Sequence, residues 1–384
     1  MKYFVQRYIK EKAKNILLKA SSLFCTPLSR DDTRRLDFLE PISKTNSFEL
    51  SCLSIAGIST KLPIKVSYPS SILFRVRNSA TQNLRILPSG GICSDDKILC
   101  TGFKGQQSYN IMGYLQSFTK RRRSISGTII CNWPQQFLTY GDFVLQLLPE
   151  LCLIKATLSP GEWLNANFVF NKQPKFLVDY LKLLGCNEGQ IIDSSNNCFI
   201  LAPESQIYFR EKDRMWFLCA PLELLKISRK FLMAKQDIVH QHESILFVER
   251  LGVYRRAIGL DENMRSNLRE LGISFFDPTN VSIKEQIAAF ANAQIVIGIH
   301  GAGIANILWC QPGTKVVEIF HPKFAPWCYA IMANQLNMDY YSLGSNPGSM
   351  DINFRETDVT VDWNYLIKLI KQLKRSIDQK TSIN

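Results

Sequence analysis

A turn bracketed by glycines, late in the chain, has the residue types that can hold a phosphate group. Residues 295–299 form a short apolar run rich in β-branched side chains, which is typical of a buried parallel strand. Residues 304–310 have helical spacing. Between them lies the turn, which consists of His300, Gly301, Ala302 and Gly303. Backbone amides in such a turn can approach a phosphate while the helix dipole favours its negative charge, so we predict an anion site there.

A loop rich in arginine is predicted at the same edge of the sheet. Residues 245–248 have the composition of a strand, and the loop after them holds Glu249 and three arginines, Arg250, Arg255 and Arg256. Ligands of open α/β sheets bind beyond the carboxyl ends of the strands, where both loops should lie. A planar guanidinium grips phosphate oxygens with two parallel hydrogen bonds. We therefore predict a diphosphate between the arginines and the turn; the alternative is that the arginines are ordinary surface cations.

Three polar side chains near the turn are further candidates for the site. His300 could donate a hydrogen bond to a phosphate or a sugar hydroxyl, or it could be a structural residue with its own partner. Asn306 follows Gly303 by one helical turn and could cap the helix or bind the ligand. Glu318 ends the next predicted strand, where it could accept hydrogen bonds from ribose hydroxyls or pair with an arginine.

The second half of the chain alternates strand and helix patterns, which would position these loops. Two helices carry start signals, an N-cap at Asp261 and a capping box formed by Ser282 and Glu285. Strands that alternate with helices favour a doubly wound parallel sheet. The predicted strands are 245–248, 273–276, 295–299, 315–320 and 340–343, and the predicted helices are 261–271, 282–291, 325–336 and 363–374.

The first half of the chain gives weaker signals. Short strand-like runs between residues 62 and 100 are separated by Pro, Ser, Gly and Asn, which favours β-hairpins. Residues 121–123 are consecutive arginines that extend Lys120 into a basic run, interpreted as a solvated loop, with an anion contact as the alternative. Strands and helices alternate from residue 127, including a helix over 142–148 that should end at Pro149. The predicted fold class is therefore α/β, with two Rossmann-like domains facing a cleft and some N-terminal β-hairpins.

Composition limits the classes of function. The chain has 384 residues, a formal net charge of +13 and a sequence pI of about 9.2. That balance suits nucleic acid, an anionic membrane surface or phosphorylated substrates, and no nucleic-acid-binding motif supports the first. The 11 cysteines contain no CxxC pair and there are only 4 histidines, so we expect neither a disulfide framework nor a zinc site. No apolar run reaches the roughly 20 residues of a membrane span.

The N-terminal segment, residues 1–24, alternates cations with apolar residues at helical spacing. It lacks the uninterrupted apolar core of a signal peptide. The 11 cysteines are interpreted as reduced thiols of a cytoplasmic protein, so a cytoplasmic location is predicted. One interpretation is a helix that lies on an anionic membrane surface, which would make the protein peripheral. The other is a solvated helix that packs its apolar stripe on the domain.

Together these residues resemble glycosyltransferase family 61, from about residue 128 to residue 322. The most specific part of the resemblance is GIHGAGIAN followed by PGTKVVEIF. The upstream segment FVERLGVYRRAIGLDE is also similar, and Gln286 fits the family pattern. In the first half, TYGDFVLQLLPEL resembles the family segment that ends in Leu-Pro. A histidine usually stands in that segment where this chain has Gly141 and Asp142.

The resemblance implies a GT-B fold, with an acceptor-side domain at 25–225 and a nucleotide-sugar-binding domain at 226–384. It implies an inverting transfer from a nucleotide sugar, often a uridine diphosphate sugar, to a glycan or glycolipid acceptor, with no cofactor and no essential metal. A base would take the proton of the acceptor hydroxyl while cations stabilise the departing diphosphate. The predicted product is an envelope or capsular polysaccharide.

The candidate catalytic residues are His300, Asp142 and Glu150, the last two as possible bases. The alternatives for the two carboxylates are a helix-end carboxylate for Asp142 and a surface charge for Glu150. Because this chain has Gly141 and Asp142 where the family usually has a histidine, the resemblance alone does not identify the catalytic base.

Two other functions stay open on the sequence. The missing histidine is compatible with a non-catalytic protein that binds a nucleotide or a glycan. The turn also approximates the GxGxxG fingerprint of dinucleotide-dependent oxidoreductases, through Gly301, Gly303 and Asn306, with Glu318 as the expected acidic residue. This second match is weak because the turn comes late in the chain, after other β-α units.

Overall fold

A computed structural model of the protein describes residues 24–56, 61–68, 70–77, 83–99, 107–131, 139–170, 174–210, 219–234, 244–250, 258–355 and 357–381. Contacts divide the chain into two compact units. Unit 1 comprises the described residues of 1–48, 68–138 and 150–216, and unit 2 comprises those of 49–67, 139–149 and 217–384. The sequence predicts one change of domain, at residue 225, whereas the contacts assign two earlier segments to unit 2.

Strands form the centre of both units. In chain order they are β1 (Thr26–Pro27), β2 (Leu39–Thr45), β3 (Phe48–Leu53), β4 (Leu62–Tyr68), β5 (Ser71–Arg77), β6 (Leu84–Ile86), β7 (Ile92–Ser94), β8 (Lys97–Ile98), β9 (Arg121–Ile125), β10 (Thr128–Ile130), β11 (Asn167–Phe170), β12 (Ile191–Asp193), β13 (Asn197–Leu201), β14 (Gln206–Arg210), β15 (Ser244–Val248), β16 (Ile273–Phe276), β17 (Ala293–Ile299), β18 (Lys315–Ile319) and β19 (Asp339–Leu343).

Helices connect and cover these strands. The α-helices are α1 (Arg30–Arg34), α2 (Gln107–Ser117), α3 (Tyr140–Asp142), α4 (Leu148–Thr157), α5 (Pro160–Leu164), α6 (Lys175–Leu183), α7 (Leu222–Met233), α8 (Glu262–Glu270), α9 (Ile283–Asn292), α10 (Cys328–Gln335) and α11 (Trp363–Thr381). The 3₁₀ helices are Glu188–Gln190, Ala302–Trp309 and Ile352–Phe354, and Phe143–Leu147 is a π-helix.

Unit 2 is built on a five-stranded parallel sheet with the order β16-β15-β17-β18-β19. Alternate strand residues, among them Ile297 and Val317, belong to an apolar cluster that also contains Leu268 of α8 and Leu366 of α11. The residues between them, such as Val296, are also buried and face the opposite side. Unit 2 therefore contains the parallel sheet, buried on both faces, that the sequence predicts.

The predicted start signals of two unit 2 helices are confirmed. The side chain of Asp261 accepts a hydrogen bond from the Met264 N–H at 2.8 Å. Ser282 and Glu285 form the predicted capping box at the start of α9. Local sequence therefore sets where these helices begin, and with them the loops at the carboxyl edge of the sheet.

Unit 1 has two six-stranded sheets instead of one Rossmann-like sheet. The first has the order β12-β11-β10-β14-β5-β2, with the first four strands parallel and β5 antiparallel to both neighbours. The second has the order β1-β8-β7-β6-β13-β9 and contains the predicted hairpins as β6, β7 and β8. One buried cluster joins Phe74 and Phe209 of the first sheet to Ile86 and Phe199 of the second.

The predicted end of a helix at Pro149 is wrong. The chain continues from α3 through the π-helix into α4. In a regular α-helix the carbonyl of Leu145 would accept a hydrogen bond from residue 149, but proline has no N–H. The Leu145 carbonyl accepts from the Ala220 N–H at 2.7 Å instead. The wider π turn and this outside donor together let the helix pass through the proline.

The interpretation of residues 121–123 as a loop is also wrong. These arginines lie in β9, which pairs in parallel with β13 and has Ile125 as its buried residue. Their side chains are exposed, so only the backbone assignment changes. The pairing partner is far away in sequence, and no local pattern indicates it.

The described residues contain no helix that is long and apolar enough to cross a membrane. The predicted amphipathic segment 1–24 lies outside the described residues, except for Phe24.

Candidate active site

The arginine loop and the glycine turn meet at the carboxyl edge of the unit 2 sheet. The strand order reverses between β15 and β17, and the loops after these strands hold Arg250 and His300. Arg250 Nη1 donates a hydrogen bond to the carbonyl oxygen of His300 at 3.0 Å. The structure thus brings together the two loops between which the sequence predicts an anion.

Gly301 allows the guanidinium to lie against the turn. A Cβ added at this position would be 1.9 Å from Arg250 Nη1 and 2.9 Å from Arg250 Cζ. The φ angle of Gly301 is 174°, an extended conformation that any residue adopts, so the requirement for glycine is steric. Gly303 is similar, because an added Cβ would be 2.9 Å from Val248 Cγ1.

The turn leads into the 3₁₀ helix Ala302–Trp309, which begins two residues before the predicted helix. The Asn306 side chain donates a hydrogen bond to the Gly303 carbonyl oxygen at 3.3 Å. In an α-helix this carbonyl would accept from a backbone amide instead. At the other end, Arg229 Nη1 donates to the carbonyls of Leu308 and Cys310, both at 2.6 Å. The helix is therefore fixed at both ends, with its N-terminus in the turn.

His300 is held by a buried carboxylate. Its Nδ1 lies 2.6 Å from Glu318 Oε1. The other Glu318 oxygen accepts from the hydroxyl of Tyr340. Burial and the charge of Glu318 raise the pKa of Tyr340 well above its ordinary range, so this hydroxyl stays a donor. A histidine held at Nδ1 by a carboxylate has its ring orientation set.

Glu318 does not lie where a ribose could reach it. The residue is 0% exposed, and His300 and Tyr340 occupy its two oxygens. The structure places it behind His300, where its carboxylate holds the imidazole, and among the described residues no arginine pairs with it.

The side chain of Asn306 links several elements of unit 2 by hydrogen bonds. It is fully buried, and its Oδ1 accepts from the Tyr140 hydroxyl at 2.5 Å. Its Nδ2 also donates to Gln286 Oε1 at 3.0 Å, and Gln286 Nε2 donates to the Pro278 carbonyl at 2.8 Å. These bonds hold α3 and α9 against the helix of the turn, which accounts for Gln286 without a ligand contact.

Asp142 lies next to the turn and has a perturbed carboxyl. A Cβ added to the adjacent Gly141 would be 3.4 Å from Ala302 Cα, so the two segments are packed together. Burial raises the pKa of Asp142 from 3.8 to about 6, although a hydrogen bond from Thr139 and the charge of Arg355 act in the opposite direction. A carboxyl that titrates near 6 beside an anion site has the properties of a general base.

We expect Asp142→Asn to change how stability depends on pH. The folded protein binds the Asp142 proton more tightly than the unfolded chain, so stability falls as the pH rises from about 4 to about 6 and is level above that. Asn carries no titrating group and removes this fall. Thermal unfolding of both proteins from pH 4 to pH 7 measures the difference, and parallel curves would show that Asp142 is not perturbed.

Glu150, the other candidate base, belongs to unit 1 and has a structural partner. Its Oε1 is 3.1 Å from Arg210 Nη1, and the two side chains are 3% and 2% exposed. Arg210 Nη2 also donates to Thr45 Oγ1 at 3.2 Å. The expected surface position is therefore wrong, because the carboxylate is buried opposite a buried guanidinium.

We expect Glu150→Gln to act on stability. Removing one partner of a buried ion pair leaves an uncompensated charge and costs about 3 kcal/mol. The matched control is Glu40→Gln, whose carboxylate is 49% exposed beside Arg75 and should cost less than about 1 kcal/mol. Urea unfolding measures both. Full stability together with lost sugar transfer in Glu150→Gln would restore Glu150 as the base.

Two donor-site candidates, Arg255 and Arg256, lie outside the described residues. Tyr140 and Tyr340 were missed by the sequence analysis, although each contacts a candidate residue. One signal was available for Tyr340: a glutamate inside the apolar strand KVVEI must have hydrogen-bond donors around it. Among the described residues, no three His, Cys, Asp or Glu side chains are grouped so as to hold a metal ion.

Two plant proteins are similar to part of this chain. A beta-1,2-xylosyltransferase of Oryza sativa subsp. japonica, RCN11, is 32% identical over 89 residues, which are 23% of this chain and 16% of that protein. A beta-1,2-xylosyltransferase of Arabidopsis thaliana is 30% identical over 64 residues, which are 17% of this chain and 12% of that protein. The matched part thus spans less than one fifth of either relative.

The family comparison covers the site more completely. Residues 140–317 match the family described as Glycosyltransferase 61. This range begins at the segment that holds Asp142, includes Arg250 and the glycine turn, and ends one residue before Glu318. The resemblance to glycosyltransferase family 61 that the sequence indicates is therefore confirmed over residues 140–317.

Proposed function

We propose that this protein is an inverting glycosyltransferase whose nucleotide-sugar donor places its diphosphate between Arg250 and the glycine turn. The observation that carries the proposal is the hydrogen bond from Arg250 to the His300 carbonyl, because it puts a guanidinium beside helix-start amides. The family match over 140–317 supports the same activity. The alternative, a dinucleotide-dependent oxidoreductase, has no comparable support. Two residues of its fingerprint, Asn306 and Glu318, are buried and bind protein partners.

The proposed reaction is a single displacement at the anomeric carbon. The acceptor hydroxyl oxygen forms a bond to that carbon, and the bond from the carbon to the diphosphate oxygen breaks, which inverts the configuration. Asp142 takes the hydroxyl proton, and the leaving diphosphate takes the electron pair. Arg250, the amides of the turn and a hydrogen bond from His300 stabilise the negative charge that develops. No step in this scheme requires a metal ion.

Several finer features belong to the proposal. The named relatives are xylosyltransferases, so a uridine diphosphate pentose is the first donor to test. The acceptor is proposed to be a glycan or a glycolipid of an envelope or capsular polysaccharide, made on the cytoplasmic side of a membrane. We also propose the GT-B arrangement, with the donor on unit 2 and the acceptor entering from unit 1.

A panel of nucleotide sugars tests the activity. The full-length protein is incubated with each donor, with and without EDTA and a set of simple glycan acceptors, and free uridine diphosphate is measured. We expect release of diphosphate with at least one donor, unchanged by EDTA and enhanced by an acceptor. Donor binding without release would instead favour the non-catalytic binding protein, and a fluorescence response only to a reduced nicotinamide cofactor would favour the oxidoreductase.

A further inference from the structure

Unit 1 carries a cationic surface that the proposed reaction does not use. Strand β9 is at the edge of its sheet, because the sheet order places it beside β13 alone. Lys120 precedes the strand, and its first three residues, Arg121, Arg122 and Arg123, are all exposed. We call residues 120–123 the basic edge. Within the described part of the chain, no carboxylate forms an ion pair with these four cations.

Two aromatic side chains of unit 1 are exposed. Phe24 is 63% exposed and Phe118 is 57% exposed, more than any other large hydrophobic side chain among the described residues. The ring of Phe118 packs edge-on against Tyr114, with 5.3 Å between the centroids. Tyr114 and Cys25, the neighbour of Phe24, share one buried cluster. Phe118 is two residues before Lys120, whereas Phe24 precedes β1, at the opposite edge of the same sheet.

Protection of an exposed edge strand explains only part of this arrangement. Charged side chains on edge strands prevent pairing with other chains. That role needs neither four consecutive cations nor an exposed phenylalanine beside them. Cations next to exposed aromatic rings are typical of surfaces that bind the membrane interface, where the rings insert at the headgroup level and the cations contact anionic lipids.

We infer that the basic edge, together with Phe118, binds an anionic phospholipid surface. The complementary charge comes from the four cations, in a chain whose formal net charge is +13. Each Lys or Arg near such a surface contributes roughly fivefold to the partition constant. This binding does not involve the donor site and is independent of the proposed reaction.

Sedimentation with vesicles tests the inference on the full-length chain. One set of vesicles contains phosphatidylcholine alone, and the other contains 30% phosphatidylglycerol, a composition near the upper range of anionic membranes, at roughly 0.1 M salt. We expect the wild-type protein to prefer the anionic vesicles at least tenfold. Substituting Arg121→Gln, Arg122→Gln and Arg123→Gln together should lower that partition constant at least tenfold, whereas three Arg→Lys substitutions should retain most of it.

A matched control removes the same charge elsewhere. Lys368, Lys371 and Arg375 are exposed on α11 of unit 2, and their combined change to Gln should lower binding less than threefold. Phe118→Ala should weaken binding that persists at high salt, since insertion of the ring does not depend on charge. Equal losses in the two triple variants would overturn the inference, as would no loss in the β9 variant. Tighter binding to a single-stranded RNA, lost in the β9 variant, would identify nucleic acid as the partner instead.

Discussion

Replacing Arg250 with alanine is expected to lower kcat/KM for sugar transfer about 10²–10³-fold, with the fold intact. The guanidinium lies at the glycine turn, where it would face the charge that develops on the departing diphosphate. Because that interaction is stronger in the transition state than in the ground state, much of the loss should appear in kcat. Arg250→Lys keeps the charge without the planar fork and should have an intermediate effect. Initial rates and circular dichroism of the purified variants measure activity and folding.

Gly301→Ala tests the same contact without removing the arginine. The added Cβ would lie only 1.9 Å from Arg250 Nη1 and would therefore displace the guanidinium. The extended backbone of Gly301 accepts alanine without strain. The control is Gly161→Ala, where an added Cβ has nothing within 4 Å. We expect Gly301→Ala to lose activity comparably to Arg250→Ala and Gly161→Ala to retain it. Full activity in both glycine variants would contradict the role of this contact.

His300→Ala is expected to lower kcat about 10²–10³-fold, the range for the loss of one hydrogen-bond donor to the negative charge that develops in the transition state. The imidazole is oriented by Glu318 at Nδ1, and its removal would also leave a buried carboxylate with one donor fewer. His300→Gln keeps a hydrogen-bond donor toward Glu318 without an imidazole, so it separates catalysis from stability. A His300→Gln variant with wild-type kcat would show that the imidazole takes no part in the reaction.

Tyr340 contacts Glu318, which in turn holds His300. We therefore expect Tyr340→Phe to lower kcat less than His300→Ala does. Loss of the hydroxyl leaves one oxygen of Glu318 without its donor and should cost about 1–3 kcal/mol of stability. If Tyr340 also positions the imidazole, kcat should fall several-fold at a temperature where the variant is fully folded. Tyr365→Phe, at a side chain that is 53% exposed, is the control and should change neither quantity. Lost stability with unchanged kcat would limit Tyr340 to a structural role.

The order of elements in unit 2 could be predicted because each local signal agrees with the tertiary structure. β17 is a run rich in β-branched residues, and the glycine turn follows it. Ser282 and Glu285 specify the start of α9 through the hydrogen bonds of a capping box. The rule that places ligands at the carboxyl edge of such a sheet then indicated that Arg250 and the turn lie at the same edge, although the two are 50 residues apart.

What could not be predicted depends on contacts between distant residues. The helix passes through Pro149 because Ala220 supplies a donor to Leu145, and β9 exists because β13 pairs with it. From the sequence Glu150 could be a base or a surface charge, and only the structure places Arg210 beside it. Glu318 could be recognised as the last polar residue of a strand, but its partners, His300 and Tyr340, follow from the register and the faces of the sheet.

Calorimetric titration of uridine diphosphate into the wild-type protein and the variants Arg250→Ala, Gly301→Ala and Gly161→Ala tests the donor site most directly, without an acceptor or a known sugar. We predict that the wild-type protein and Gly161→Ala bind the diphosphate with the same affinity and that the other two variants bind it at least tenfold more weakly. Equal affinity in all four proteins would contradict the placement of the diphosphate between Arg250 and the glycine turn.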